Sequence, residues 1–168
     1  MSVRGPVIAY DVCVRIGVVG LWHLGFVYAA CLAELGHDVV AYDPDVETIN
    51  RAQQSEFPVE ESGLAKLTAG QVAIGRVCFT DSLEDLNETE IIWVTHDVPV
   101  DVNDQADLRP LDSLLSKVIA ELSPKQVLVV SSQVPGKARR PWGPTIGATL
   151  VSLPTTEGGS HSQQSQPR

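Results

Sequence analysis

Cysteine is scarce and unpaired in this chain: Cys13, Cys31 and Cys78 are odd in number and far apart, with no C-x-x-C pair and no histidine cluster beside them. That spacing excludes a disulfide framework and a zinc site, and it leads us to expect small buried thiols in a reducing compartment. Positive charge is scarce as well, since 12 Lys and Arg stand against 21 Asp and Glu for a formal charge of −9. A surface for nucleic acid or anionic lipid needs concentrated Lys and Arg, so neither partner is expected. No run approaches the ~20 apolar residues of a membrane span. Met1 to Arg15 also lacks a basic start followed by an apolar segment and a cleavage site, so the expected location is the cytoplasm.

What remains fits one α/β domain with a sizeable core, because 168 residues with 43% hydrophobic and 20% charged side chains is an ordinary globular composition. The chain is organised around Arg15-Ile16-Gly17-Val18-Val19-Gly20-Leu21-Trp22-His23-Leu24-Gly25, which runs into an apolar and small-residue stretch from Phe26 to Leu35. A β-branched run, a glycine-bounded turn and a helix in that order open a dinucleotide-binding unit. Gly20 suits a sharp turn, Gly25 suits close packing of helix on sheet, and the amides at the helix start suit a diphosphate. Trp22 stands where the G-x-G-x-x-G pattern has its second glycine, so two glycines of three are kept. Val39 to Tyr42 reads as the next strand, and Asp43 follows 23 positions after Gly20. A carboxylate there accepts hydrogen bonds from the adenosine ribose and repels a 2′-phosphate, which favours NAD over NADP. Asp43 and Asp45 could instead simply start the helix from Val46, since Asp is a good N-cap.

The whole pattern predicts a Rossmann-like, doubly wound, mostly parallel sheet with strands near 15–20, 38–42, 77–80, 90–95 and 126–131. Helices are expected at Val46 to Ser55, over one or two turns at Leu64 to Thr68, and at Leu108 to Leu122 with Asp107 as cap. Asp81 and Glu84 form a candidate capping box for Ser82 to Leu86. The run Glu90 to Thr95 reads as a strand covered on both faces. Ligands in such sheets sit beyond the carboxyl ends of the strands, which directs attention to Thr95, His96, Asp97, Val98 and Pro99. Residues 1–13 form an extension and 14–135 the nucleotide domain. Residues 136–168, rich in Gly, Pro, Ser, Thr and Gln with one apolar patch at Ile146 to Leu153, are expected to be mostly disordered.

Four stretches in order resemble the N-terminal domain of the UDP-glucose/GDP-mannose dehydrogenase family. They are Ile16 to Gly25 with Asp43; Pro58-Val59-Glu60-Glu61-Ser62-Gly63-Leu64, similar to P-x-x-E-P-G-L; Val94 to Val100, similar to a strand ending in T-P; and Ser131-Ser132-Gln133-Val134-Pro135, similar to S-T-V-P. The resemblance implies NAD as cofactor, held by Gly20, Leu21, Trp22, His23, Leu24, Gly25, Asp43, Thr95, Asp97, Pro99 and Ser132. It also implies a nucleotide-sugar substrate whose C6 alcohol is oxidised to the carboxylate. The family's cysteine nucleophile and lysine belong to a later domain, and no residue here matches their motifs, so no catalytic residue and no metal ligand is assigned. The expected state is the cofactor half of such an enzyme, working as a homo-oligomer or with a missing catalytic half. The alternative is a truncated or frame-shifted product without catalysis. A short-chain reductase is excluded, because Tyr10, Tyr28 and Tyr42 are followed at the Tyr-x-x-x-Lys spacing by Val14, Leu32 and Val46.

Overall fold

A computed structural model describes residues 12–58, 61–98 and 106–132, together with the backbone of one further strand at Thr149–Ser152. Its six strands are β1 (Arg15–Val19), β2 (Asp38–Tyr42), β3 (Val77–Thr80), β4 (Ile91–Val94), β5 (Val127–Val130) and β6 (Thr149–Ser152). They lie in the order β3-β2-β1-β4-β5-β6, and every pair is parallel. The helices are α1 (His23–Glu34), α2 (Val46–Gln53), α3 (Leu64–Ala73) and α4 (Arg109–Glu121), with one 3₁₀ turn at Leu83–Leu86. Chain direction along the sheet reverses between β1 and β4, the point at which such sheets open a ligand crevice.

Alternation along the strands distributes two cores over the two faces. Ile16, Val18, Val39, Ala41, Val77 and Phe79 pack with Phe26, Ala29, Ala30 and Ala33 of α1, Ile49 of α2 and Leu64 of α3. Val19, Val40, Ile92, Val94, Leu128 and Val130 pack with Leu111, Leu114, Leu115 and Val118 of α4. Strands buried on both sides read as continuous apolar runs. That is why the first five strands are legible in the sequence.

Local chemistry fixes most of the ends. Asp45 caps α2 by accepting from the Glu47 and Thr48 amides. Asp107 stands one residue before the formal cap of α4, Leu108, and still accepts the Arg109 amide at 3.1 Å while pairing with the Arg109 guanidinium at 2.7 Å. The capping box expected from Asp81 and Glu84 does not form: Ser82 is the cap residue, and its side chain makes no cap bond. Thr80 supplies the order instead, its hydroxyl accepting the Ser82 amide at 3.0 Å and donating to Asp85.

Three other expectations change. The helix from Leu64 runs on to Ala73, a length that no apolar period marks, because the side chains it buries beyond Leu64 are the polar Thr68 and Gln71. The three cysteines are exposed, not buried: Cys31 sits on the outer side of α1, Cys78 points outward from the edge strand β3, and Cys13 precedes β1. Within the stretch expected to be disordered, Thr149–Ser152 pairs in register with Val127–Val130 as β6. The rest of 136–168 and the extension before residue 12 lie outside the described residues, and so does the loop from Pro99 to 105.

Candidate functional site

The crevice is built at the ends of β1 and β4, whose last residues, Val19 and Val94, are register partners. Gly20 leaves β1 at φ +94°, a left-handed conformation that favours glycine. A Cβ on it would also come within 2.7 Å of the His96 Cα, so the turn lies flat against the loop that follows β4. Gly25, in the first turns of α1, is tighter still, since a Cβ there would stand 2.1 Å from the Gly20 carbonyl oxygen and 3.0 Å from Thr95 Oγ1. Thr95 completes this joint. Its amide donates to Val19 O at 2.8 Å and its hydroxyl to Gly20 O at 2.8 Å, with the side chain buried. Two glycines and one threonine from distant parts of the chain thus lock strand, helix and loop together.

Asp43 stands at the end of β2, beside this joint. Its Oδ2 accepts the Leu21 amide at 2.7 Å and its Oδ1 accepts the Asp45 amide at 2.9 Å. The carboxylate therefore bridges the glycine turn and the start of α2, while each oxygen keeps a further lone pair for another donor. The helix-start reading of the acid pair holds for Asp45, which caps α2, while Asp43 faces the glycine turn. The Asp45 carboxyl is held below the usual carboxylate range, first by the Thr48 hydroxyl and then by the Glu47 and Thr48 amides. Tyr42, just before the acid, has its hydroxyl pushed up by burial and by the charges of Asp43 and Asp81.

Trp22 is the cap residue of α1 and makes no side-chain cap bond. The first amides of a helix lack intrahelical partners, so those of α1 open toward the crevice without a side-chain cap. The Trp22 backbone is extended, at φ −92° and ψ −159°, and its side chain is 52% exposed. The backbone there consequently does not require glycine. Trp22 lines a small hollow with Phe26, Thr48, Arg51 and Pro58, between α1 and α2. His23 begins α1, and its Nε2 lies 2.7 Å from Glu61 Oε1. This contact joins the first and second of the four stretches that were matched separately in the sequence. A carboxylate near a helix N-terminus is favoured by the dipole. Sequence reasoning missed the Glu61 partnership, whose only signal was the co-occurrence of the two stretches.

The remaining candidates spread out. Leu21 is buried and Leu24 exposed at the crevice end of α1. Asp97 is exposed and, among the described residues, accepts the neighbouring Val98 amide. Ser132, one residue past the Ser131 that receives the Trp93 indole N–H, is 7% exposed, and its hydroxyl finds no partner among the described residues. A buried, unpartnered hydroxyl at the carboxyl end of β5 is a polar group with capacity to spare. Pro99 lies outside the described residues. Cys13, Cys31 and Cys78 are all away from the crevice rim, on the approach to β1, on α1 and within β3. Among the described residues no three His, Cys, Asp or Glu side chains gather as a metal site. No described helix is long and apolar enough to cross a membrane.

A parallel sheet that reverses direction beside a glycine turn, with an acid on the neighbouring strand end, is the dinucleotide-binding domain of a dehydrogenase. The chain belongs to the UDP-glucose/GDP-mannose dehydrogenase family, whose NAD-binding domain matches residues 14–148. It is 31% identical to UDP-glucose 6-dehydrogenase of Rhizobium meliloti over 149 residues, which is 83% of this chain and 34% of that protein. It is likewise 31% identical to GDP-mannose 6-dehydrogenase of Azotobacter vinelandii over 127 residues, 73% of this chain and 29% of that one. The solved UDP-glucose dehydrogenase of the archaeon Pyrobaculum islandicum superposes with a TM-score of 0.74 at 25% identity, covering 88% of this chain and 37% of its own. This chain spans about a third of the length of such relatives.

Proposed function

We propose that NAD lies in the crevice between β1 and β4, with its adenosine ribose on Asp43 and its diphosphate on the amides that open α1 at Trp22, His23 and Leu24. Gly20, Leu21 and Gly25 shape the turn beneath it, and Thr95, Asp97, Pro99 and Ser132 line the opposite side. The observation that carries this reading is the Asp43 carboxylate held 2.7 Å from the Leu21 amide, which puts the acid at the edge of the turn with lone pairs to spare. The residues present fit the cofactor on two further grounds. Trp22 is extended and half-exposed beside the α2 hollow, so its bulk has a direction in which to turn away, and the α1 amides carry no side-chain cap that a phosphate would have to displace. When bound, NAD would supply the hydride acceptor.

By the same kinship this chain is the cofactor half of a nucleotide-sugar dehydrogenase that oxidises a C6 alcohol to the uronic acid. The half by itself is a nucleotide-binding module that awaits a catalytic half, in the same or another polypeptide. Two titrations test this. Asp43 would face a 2′-phosphate as a like charge, so NADH should bind at least about tenfold more tightly than NADPH, and Asp43→Asn should shrink that ratio toward one. Equal affinities in the unaltered chain would remove Asp43 from the role. With UDP-glucose or GDP-mannose and NAD, the 168-residue chain should give no detectable NADH. Orientation of substrate against cofactor and covalent capture each contribute large factors, about 10⁵ M or more in effective molarity for the former, and neither has a residue here. Measurable turnover by the chain alone would refute the module reading.

A further inference from the structure

The hollow between the starts of α1 and α2 adjoins the place proposed above for the adenosine ribose. Leu21 and Trp22 line it on one side, and Thr48, Arg51 and Glu56 on the other. Hydrogen bonds from both walls converge on Asp43. Leu21 donates its amide to Asp43 Oδ2 at 2.7 Å; across the hollow the Thr48 hydroxyl donates to Asp45 Oδ2 at 2.7 Å, and the Asp45 amide donates to Asp43 Oδ1 at 2.9 Å. Arg51, one helical turn beyond Thr48, is exposed. An arginine near the ribose is the group that accommodates a 2′-phosphate in dinucleotide-binding domains, where the acid is the mark of NAD. This chain has both. The space left free in the hollow is only about 20 Å³, room for water but not for a phosphate group. Trp22 is the largest side chain lining it, so the indole is what keeps the space small.

We propose that this hollow is a closed 2′-phosphate subsite and that Trp22 closes it, so that NADP is excluded twice, by the charge of Asp43 and by the bulk of the indole. The inference rests on the cofactor reading above. It gives a task to the residue that stands in place of the second glycine of the fingerprint. With a small residue there, the hollow would open onto Arg51, whose planar guanidinium pairs with phosphate through two parallel hydrogen bonds. The extended Trp22 backbone accepts any residue, so the indole can be removed without strain on the turn. Glu56 on the same wall and Asp45 beside it offset part of the pull of Arg51. Opening the hollow should therefore bring the two cofactors toward equality and not reverse the preference. The two exclusions also differ in kind, since salt screens a charge and leaves a steric obstacle unchanged.

Fluorescence titration of NADH and NADPH against the full chain, Asp43→Asn, Trp22→Ala and the double variant tests this, with circular dichroism as the check on folding. A smaller side chain at position 22 also lets a diphosphate approach more closely, but that would tighten both cofactors alike, so the ratio of their Kd values is the quantity to read. Asp43→Asn alone should leave NADPH about fivefold weaker than NADH, because the indole still fills the hollow, and that remainder should not change between about 0.05 and about 0.5 M salt. Adding Trp22→Ala should bring the ratio close to one. Arg51→Gln in the double variant should then weaken NADPH again by about fivefold and leave NADH as it was, the loss expected for one partly offset bond to a charged group. If Asp43→Asn alone reaches a ratio of one, or if Trp22→Ala does not alter the ratio of that variant, the hollow takes no part and only Asp43 discriminates. Equal affinities in the unaltered chain, or no NADH binding at all, would instead undo the cofactor reading from which this one starts.

Discussion

α2 and α4 start on side chains of their own sequence, whereas α1 and α3 do not, and the contrast separates the parts of this domain that stand alone from the parts that serve something else. α2 is capped by Asp45 and turns Glu47, Asn50 and Arg51 to water. α4 begins at the Asp107–Arg109 pair and buries one apolar stripe, Leu111, Leu114, Leu115 and Val118. α1 and α3 start at Trp22 and Gly63, neither of which offers a cap bond, and Gly63 is at φ +88°. Helices of that second kind draw little from local sequence and are held by what surrounds them. For α1 the surroundings are the sheet below and the crevice at its start, where open amides are an asset because a cap would occupy the place of an anion.

The contrast breaks most visibly at Gly25. Adding one methyl there drives it into the Gly20 carbonyl and toward Thr95 Oγ1, two groups that are themselves tied together and cannot swing aside. Gly25→Ala should cost about 3 kcal/mol, the upper part of the range for overpacking, and should displace the turn that carries the crevice. Val118→Ala, in the stripe of α4 at 1% exposure, is the matched control. It should cost about 2 kcal/mol through lost burial and the cavity left behind, yet leave NADH affinity unchanged. Urea melts with and without NADH check both. If the two variants lose cofactor binding in parallel with stability, α1 has no special place in the site.

The same contrast explains how much could be read in advance. Strands β1 to β5 announce themselves as apolar runs, and α2 and α4 by cap and period. The glycine turn and Asp43 are visible through spacing, and they do meet, at the Leu21 amide. The length of α3 was hidden because, beyond Leu64, it buries Thr68 and Gln71, each with a buried oxygen that finds no partner among the described residues. β6 was hidden because a parallel edge strand four residues long sits within polar, glycine- and proline-rich sequence. The exposure of Cys31 and Cys78 was hidden for a related reason: sequence gives a helix or strand its faces, but not which of them the fold leaves uncovered.

The smallest expected effect sharpens the other side of the comparison, the claim that α2 is fixed by its own side chains. The Asp45 carboxyl is lowered chiefly by the Thr48 hydroxyl, which donates to its Oδ2 at 2.7 Å. A carboxyl with a lowered native value stabilises the fold in its ionised form. That contribution is complete above the ordinary value of 3.8 and is lost as the pH falls through the lowered native value. Asp107, lowered to about 2 by its Arg109 pairing, follows the same sign at the start of α4, so both caps weaken together on acidification. Thr48→Val removes the largest cause at Asp45 and leaves Asp107 untouched. Carboxyl NMR titration should then show the Asp45 value rising toward the ordinary one while that of Asp107 stays near 2. An Asp45 value that does not move would mean that the hydroxyl contributes nothing to the cap, and that α2, like α1, owes its start to its surroundings.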